Sequence, residues 1–560
     1  CILEKNPPPL RTYGEFPDEL QSVVAKTLAK DTNERYRFAK ELLPDLKRLL
    51  KRLNLEEPLK GQFSLRQFAP AKKLAFLGLI GLISIPVLVF LFVTRPSPFH
   101  SLAILPFDNA SQNPEAEYLS DGITESIINS MSQLQPDLRV MSRGTVFTYK
   151  GTELDPRKVG KELNVDAVVT GRVMQQGDTL IIRANLVNVE DGVQMWGEQF
   201  HRKLSDLLLV QDEISQEIAD KLRLNLIGEH TKQLTKHYTE KPEAYQFYLK
   251  GMYHWYKSSE EDYQKALENF EHAIEKDPSY ALAYAGVSRS YGGLMIDGYR
   301  SPKEMWPKFE AAAKKALEID KTLTHGKYQI AIMKFYRDWN WPEAERIIKE
   351  ILQEDPNDAL FHHMYSYLLM ATGRIDEGIQ EIKICESLDP LSLVFSVNVG
   401  QFLSMSGRHD EAIQQFQKTI ELNPHYETAV FSLADAYQRT GSYDEAIEAN
   451  ERGYRLLQDE STADLFAQAK GKEGYQKAMR IILNDSLQHY LELSEERYVS
   501  PLDIASIYSQ LHQKDEAFLW LEKAIEERAG QLVFLNLKGD WDPLRSDPRY
   551  TDLVKRIGLK

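Results

Sequence analysis

A chain of 560 residues with a net charge of -15 is too long for one core at roughly 100 to 200 residues per domain, and allows about three to five units. Charged residues at 27% and apolar ones at 42% exclude a disordered, collagenous or multi-span membrane chain as the dominant class. The acidic balance disfavours nucleic acid, whose phosphates would meet a repulsive mean field, and two cysteines, Cys1 and Cys385, supply neither a disulfide framework nor a zinc-finger ligand set.

The chain opens CILEKNPPP without a signal-peptide pattern and reads as a piece of a longer open reading frame. Residues 17–53 place Leu20, Val23, Val24 and Leu28, then Phe38, Leu42, Leu43, Leu46, Leu49 and Leu50 at helical spacing around a polar turn at residues 31–33, which predicts two short helices. About fifty residues bury too little surface to stand alone. The order PDEL, AKD, ERY, AKELLPDL within this stretch resembles the last two helices of bacterial eukaryotic-like serine/threonine protein kinases, so residues 1–53 are expected to be a C-lobe remnant. The resemblance implies that Arg35 is the arginine that pairs with the glutamate of the A-P-E motif. The glycine-rich loop, Val-Ala-Ile-Lys strand, His-Arg-Asp loop and Asp-Phe-Gly motif are absent from these 560 residues. No catalytic, cofactor or metal residues are therefore expected here, and ATP and magnesium belong to kinase lobes outside it. An amphipathic hairpin lying on anionic lipid through Lys47, Arg48, Lys51 and Arg52 is the alternative.

After a linker at 54–73, the segment 74–94 begins with LAFLGLIGLISIPVLVFLFV. These twenty uncharged residues would span about 30 Å as a helix, the thickness of a bilayer core. Lys60, Arg66, Lys72 and Lys73 precede it, and Arg95 alone follows closely. The positive-inside rule then gives a single-pass inner-membrane protein with a cytoplasmic N-terminus and a periplasmic or extracellular remainder.

Residues 99–228 alternate short apolar runs and amphipathic stretches: a strand at 101–107, a helix over 118–131, a strand near 138–142, and a helix near 155–163. Strands at 166–175, 179–188 and 193–202 and a closing helix at 207–224 follow. Turns at Gly177 and Gly192 suit antiparallel hairpins. The succession LAILPFDN, YLSDGITESII, VMSRGTVFTYKG, VGKELNVDAVVTGRV and LIIRANLVNVEDG resembles the TolB-N-like (FlgO-like) domain, which implies a binding or assembly role. Asp108, Asp121, Glu125 and Asp166 have no histidine, glycine loop or metal spacing beside them, and are expected to be solvated caps and turns rather than a paired-carboxylate site.

From about residue 240 to 458 the chain repeats itself. Pro356, Pro390 and Pro424 are 34 residues apart, the tetratricopeptide (TPR) period. Gly400, Ala412, Phe416 and Pro424 fall at repeat positions 8, 20, 24 and 32; Ala266, Phe270, Ala273 and Pro278 match positions 20, 24, 27 and 32; Tyr437 and Ala446 take positions 11 and 20 of the next unit. Small residues let paired helices approach and the proline stops the second helix. Five units are expected there, with Cys385 as inert packing and His362 and His363 pointing apart. Residues 459–560 add irregular helices, a last TPR-like unit at 498–527 and a cap that hides its apolar face. The concave groove is expected to take a protein or peptide, with Tyr365, Tyr437, Arg408 and Arg439 as candidate contacts.

The expected protein is thus multidomain: a membrane helix, an α/β domain and an all-α TPR superhelical solenoid, the sensor part of a membrane-anchored serine/threonine kinase in signal transduction. A stand-alone membrane-anchored TPR scaffold is the alternative, and dimerisation is left open. Fusion to a cyclase or a transcription-factor head is the weaker third reading, because the 17–53 cadence resembles neither.

Overall fold

The computed structural model describes residues 99–559 apart from 112, 135–137, 153–154 and 223–237, together with Ser22, Val23, Lys26 and Asp45, all four helical. The chain divides into units Cys1–Pro96 and Ser97–Lys560. Arg35, the linker and the segment 74–94 lie outside the described residues. The single-pass inner-membrane assignment is nevertheless corrected: no helix among the described residues is long and apolar enough to cross a membrane.

In the second unit a mixed sheet comes first. Strands β1 (Ser101–Ile104), β2 (Asp108–Asn109), β3 (Arg139–Val140), β4 (Ala167–Gln176), β5 (Thr179–Asn188) and β6 (Gln194–Lys203) take the order β3-β1-β4-β5-β6, with β2 also on β4. β3, β1 and β2 run parallel to their neighbours, while β4, β5 and β6 form antiparallel hairpins. Gly177 and Gly192 turn those hairpins at positive φ, where a side chain would be strained. On β5, Leu180, Ile182, Ala184 and Leu186 are fully buried while Thr179 and Arg183 are exposed, the period-two burial of a sheet with one face on the core. Each such Leu or Ile contributes about 1.5–3 kcal/mol. Pro106, which has no N–H to give the ladder, separates β1 from β2, and the short β2 and the helix α2 below are elements the sequence pattern did not reveal.

Helices α1 (Glu117–Leu134), α2 (Arg143–Phe147), α3 (Pro156–Glu162) and α4 (Leu207–Lys221) complete the α/β domain. Six antiparallel helix pairs follow: α5 (Pro242–Trp255) with α6 (Glu260–Lys276), α7 (Ala281–Ile296) with α8 (Pro302–Ile319), α9 (Thr324–Tyr336) with α10 (Trp341–Glu354), α11 (Ala359–Ala371) with α12 (Ile375–Leu388), α13 (Leu393–Met405) with α14 (His409–Leu422), and α15 (Glu427–Thr440) with α16 (Tyr443–Leu456). There are six where five were expected; the unit that ends at Asp320, lengthened around Gly298 to Pro302, has Lys321 where proline is usual. Asp320 is extended (φ -131°, ψ 101°) and its carboxylate accepts from the N–H and hydroxyl of Thr322. Asp277, Asp389 and Asn423 hold the same extended conformation, which the following proline imposes. Gly441 ends α15 in the left-handed region (φ 82°), as a helix C-terminal glycine does.

The small positions are where the helices touch. Ala266, Ala273, Ala412 and Ala446 are fully buried, and so are Phe270 and Phe416 to within 1%. A methyl group at Gly400 would run into the Phe416 ring. Pro278 and Pro424 are exposed and act through the backbone alone. Tyr437 is half-buried, its hydroxyl accepting from Gln417 at 3.1 Å.

The chain then turns back. Helices α17 (Glu460–Ala467), α18 (Gly471–Glu496), α19 (Pro501–Gln510) and α20 (Lys514–Glu527), two 3-10 turns (Gly530–Phe534 and Gly539–Leu544) and α21 (Pro548–Ile557) complete it. Instead of capping only its own repeat, this end shares one core with the middle of the array: Phe335, Ile348, Leu368 and Leu369 pack with Phe518, Leu521, Leu532, Trp541 and Leu553. Trp306 Nε1–H donates to Arg528 O at 3.3 Å and Trp341 Nε1–H to Gly558 O at 3.2 Å. The run Leu532 to Leu535 is too apolar to face water.

Candidate protein-binding groove

The fold-back encloses a groove of about 1220 Å³. One wall is built from residues four apart on the first helix of four successive pairs: Tyr328, Ile332 and Tyr336 on α9, His363 and Tyr367 on α11, Gln401 and Met405 on α13, and Phe431, Asp435 and Arg439 on α15. Steps of four keep side chains on one helix face. Opposite stand Phe534, Leu537, Asp540 and Asp542 of the C-terminal turns. Phe534 packs against Tyr367, ring centroids 5.2 Å apart, and Phe335 at 6.4 Å. Ser506 and Ser509 donate to the carboxylate and carbonyl of Asp540 at 3.0 and 2.6 Å, which fixes that wall.

His363 is the most constrained polar group here. Its ring lies 4.5 Å from Tyr367 and 5.1 Å from Phe395, and Asn398 Nδ2 donates to its Nε2 at 2.8 Å and to the Tyr367 hydroxyl at 3.0 Å. Burial lowers its pKa to about 4, so it stands neutral and accepts. His362 points elsewhere, to Glu381 at 2.6 Å. The groove's charge is mixed, with Asp435, Asp540 and Asp542 against Arg439, Lys538 and Arg545. Arg439 Nε–H donates to Asp435 at 2.7 Å, and the pair faces Asp540 and Asp542.

Of the four contacts expected from sequence, only Arg439 lines the groove. Tyr365 lies two residues from Tyr367, which on a helix of 3.6 residues per turn is the opposite face; it is 7% exposed and donates to Glu345 at 3.0 Å. Tyr437 is displaced in the same way from Arg439. Arg408 donates from Nε and Nη2 to the two oxygens of Glu411, each at 2.6 Å. Cys385 is fully buried, its thiol donating to Ala359 O at 3.3 Å, with its pKa pushed up by burial. Among the described residues no group of three or more His, Cys, Asp or Glu is placed to hold a metal.

The four acidic residues of the α/β domain divide. Asp166 is a turn cap, accepting from the N–H of His100 and of Ser101 at 2.8 and 3.0 Å, and Asp108 meets Arg172 at 3.3 Å on the surface. Asp121 and Glu125 depart from the solvated role expected of them. Asp121 is 6% exposed and bonds Lys150 at 2.5 Å. Glu125 accepts from the Tyr256 hydroxyl at 2.8 Å and pairs with Arg143 at 3.5 Å, and burial raises its pKa. The reason is tertiary: α1 packs on α5. Gly122 admits Leu249 so closely that a methyl group there would sit 2.8 Å from its side chain. Arg143 lies between the rings of Phe147 and Tyr256, 3.8 and 3.5 Å from their centroids. Further along, Thr145 donates to the buried Asp389 carboxylate, and Ser142 N–H to Leu388 O at 3.4 Å. The α/β core and Ala244, Tyr245, Leu249 and Tyr280 of the repeats form one apolar cluster.

Residues 99–218 match the family model of the HilA/YgeH-like transcriptional regulator, second domain, and residues 403–465 and 502–530 match tetratricopeptide repeat models. The model matched by the α/β domain is thus not the TolB-N-like one its motifs suggested. A putative adenylate cyclase 3 of Rhizobium meliloti (strain 1021) is 34% identical over 188 residues, which are 34% of this chain and 32% of that protein. The transcriptional regulator HilA of Salmonella typhimurium is 23% identical over 317 residues, 54% of each chain. The chain therefore spans about a third to a half of the curated relatives it matches. Among solved structures, YrrB, described as a TPR protein with an unusual peptide-binding site, aligns over 35% of this chain and 96% of its own at 18% identity, TM-score 0.27. The type IV pilus biogenesis factor PilW aligns over 39% and 97% at 14% identity, TM-score 0.33. The repeat region of this protein is a tetratricopeptide solenoid, a fold suited to protein–protein interaction, preceded by a small α/β domain.

Proposed function

We propose that residues 99–559 are the protein-binding input region of a bacterial regulatory protein, and that the groove between the repeats and the C-terminal turns seats an extended peptide of a partner. The observation that carries this is the groove itself: about 1220 Å³, with Tyr328, Tyr336, Tyr367 and Phe431 on one wall, Phe534 on the other, and charges of both signs among the lining residues. Aromatic side chains give large contact area with little entropy to lose, and edge charges set register. A peptide with one or two apolar anchors flanked by charged residues fits that chemistry. The α/β domain serves as a platform fixed to the first repeats, in keeping with its likeness to a domain of a transcriptional regulator.

The test is selection of binding peptides from a random displayed library against the full chain, followed by measurement on Tyr367→Ala and Phe431→Glu. Selected peptides should lose at least tenfold in affinity on either variant. Equal binding to both would refute the groove as the site.

The effector served by this region is a serine/threonine kinase in our reading, on the kinase-like cadence of residues 17–53; a cyclase or a DNA-binding head is the alternative, on the names of the relatives. Reading the frame upstream of Cys1 distinguishes them. Kinase lysine-strand and His-Arg-Asp motifs support the assignment, and a cyclase or DNA-binding head there refutes it.

A further inference from the structure

A second, smaller cavity of about 160 Å³ lies between the α/β domain and the first repeats, apart from the groove. Glu125 of α1, Gln211 of α4, Tyr245 of α5, His325 of α9, and Asp355 and Asp358 of the turn before α11 line it. Gln211 is 3% exposed, its Oε1 accepting from Tyr245 Oη–H at 2.8 Å and Ser126 Oγ–H at 3.2 Å, while its Nε2 has no partner. A buried amide donor left unpaired is costly and calls for an explanation. Turning the amide over exchanges an orphan donor for an orphan acceptor, so the unmet demand persists either way.

The two aspartates of the cavity lack a direct counter-ion. Glu125 has Arg143, but no basic side chain among the described residues pairs with Asp355 or Asp358 within 4 Å. Asp358 accepts from the N–H of Leu360 and Phe361 at 2.7 and 3.4 Å, and Asp355 from Asn357 N–H at 3.3 Å. His325 is held neutral, burial lowering its pKa to about 4. His362, which faces the pair, is tied to Glu381. Arg289, which is stacked on Trp255 at 4.1 Å and does not line the cavity, acts on Asp358, Glu125 and His325 together and pairs directly with none of them. Burial and the neighbouring Asp358 carboxylate push Asp355 up to about 7, the signature of a carboxylate short of positive charge. Tyr248 and Tyr280 share the rest of the lining with Leu208, Leu249, Met252 and Leu282, and aromatic rings attract cations.

We propose that this cavity binds a small organic ammonium ion carrying a hydroxyl group, the ammonium held by the carboxylates and the hydroxyl, both donor and acceptor, by the Gln211 amide. The volume accommodates about five water molecules at liquid density, so a ligand of about five non-hydrogen atoms fills it. Occupancy would sit between α1, α4 and the repeats, and so bear on the junction through which the α/β domain is held.

Calorimetric titration of the full chain tests this with 3-amino-1-propanol, against propylamine, which lacks the hydroxyl, and 1,3-propanediol, which lacks the charge. Saturable binding of the amino alcohol is expected, at least tenfold tighter than either control. Gln211→Leu should weaken the amino alcohol to the level of propylamine and leave propylamine unchanged. Asp355→Asn, at a half-exposed turn position, should weaken both amines tenfold and leave the diol alone. If Gln211→Leu fails to fold, Asp355→Asn decides. No saturable heat with the amino alcohol at tens of millimolar, or equal binding by wild type and Asp355→Asn, overturns the proposal. Peptide binding in the groove is measured separately and is unaffected by that outcome.

Discussion

Phe270 gives the sharpest test of how the repeats hold together. Its ring is fully buried, 5.6 Å from that of Tyr248, and lies between two glycines on neighbouring first helices. A methyl group added at Gly251 would sit 2.6 Å from the ring, and one at Gly286 2.7 Å. In the native background Gly286→Ala gains about 1 kcal/mol of helix propensity but forces the ring to move, at about 1–3 kcal/mol for overpacking. The net effect is neutral to destabilising. Phe270→Ala alone removes the ring and leaves a cavity, costing about 3–5 kcal/mol. In that background the clash is gone, so Gly286→Ala keeps its propensity gain and fills space, stabilising by about 1 kcal/mol or more. The change of sign is the measurable quantity, a coupling of about 1–3 kcal/mol in a double-mutant cycle. Urea unfolding followed by far-UV circular dichroism reads it, comparing midpoints with slopes checked, because arrays of repeats can depart from two-state behaviour. If Gly286→Ala costs the same with and without the ring, the account of glycine and phenylalanine as complementary packing partners is wrong.

Gly171→Val should lower the thermal midpoint of the α/β domain by an amount equivalent to about 1–3 kcal/mol, since even a Cβ there meets the buried Phe107 ring at 2.5 Å; an unchanged melt would contradict that contact. In a Cys1→Ser background the remaining thiol, Cys385, should resist an aromatic disulfide reagent in the native protein and react promptly in urea, because burial hides it and disfavours the thiolate; native labelling at the rate of free cysteine would be the contrary result. Asp355 carries a folded pKa raised to about 7, so its ionised form opposes folding by an amount that is absent near pH 4, grows as pH rises and is complete above about 7. Asp355→Asn should therefore stabilise the protein at pH 8 by about 2 kcal/mol, allowing for partial exposure, and show no such advantage at pH 4; a difference independent of pH would refute the shift.

The sequence by itself determined whatever local periodicity encodes. The 34-residue spacing of Pro356, Pro390 and Pro424 marks the repeats because each proline ends a helix through its own backbone, whatever surrounds it. The alternating apolar runs of β4 to β6 likewise need only the pleat of a strand. The unit that ends at Asp320 is legible even with Lys321 in place of proline, although the five units expected are one fewer than the six pairs formed. Tyr365 and Tyr367 are chemically alike, and which one faces the groove depends on the helix phase relative to its neighbours. Only the tertiary structure decided that phase, the return of the C-terminal turns onto α9 and α11, and the seating of Glu125 against Tyr256 of the first repeat. All three arise from contacts between segments from about 30 to more than 200 residues apart in the chain. Packing free energy at such range depends on which surfaces meet, and the one-dimensional pattern of residues states only that an apolar face must be covered, leaving open by what.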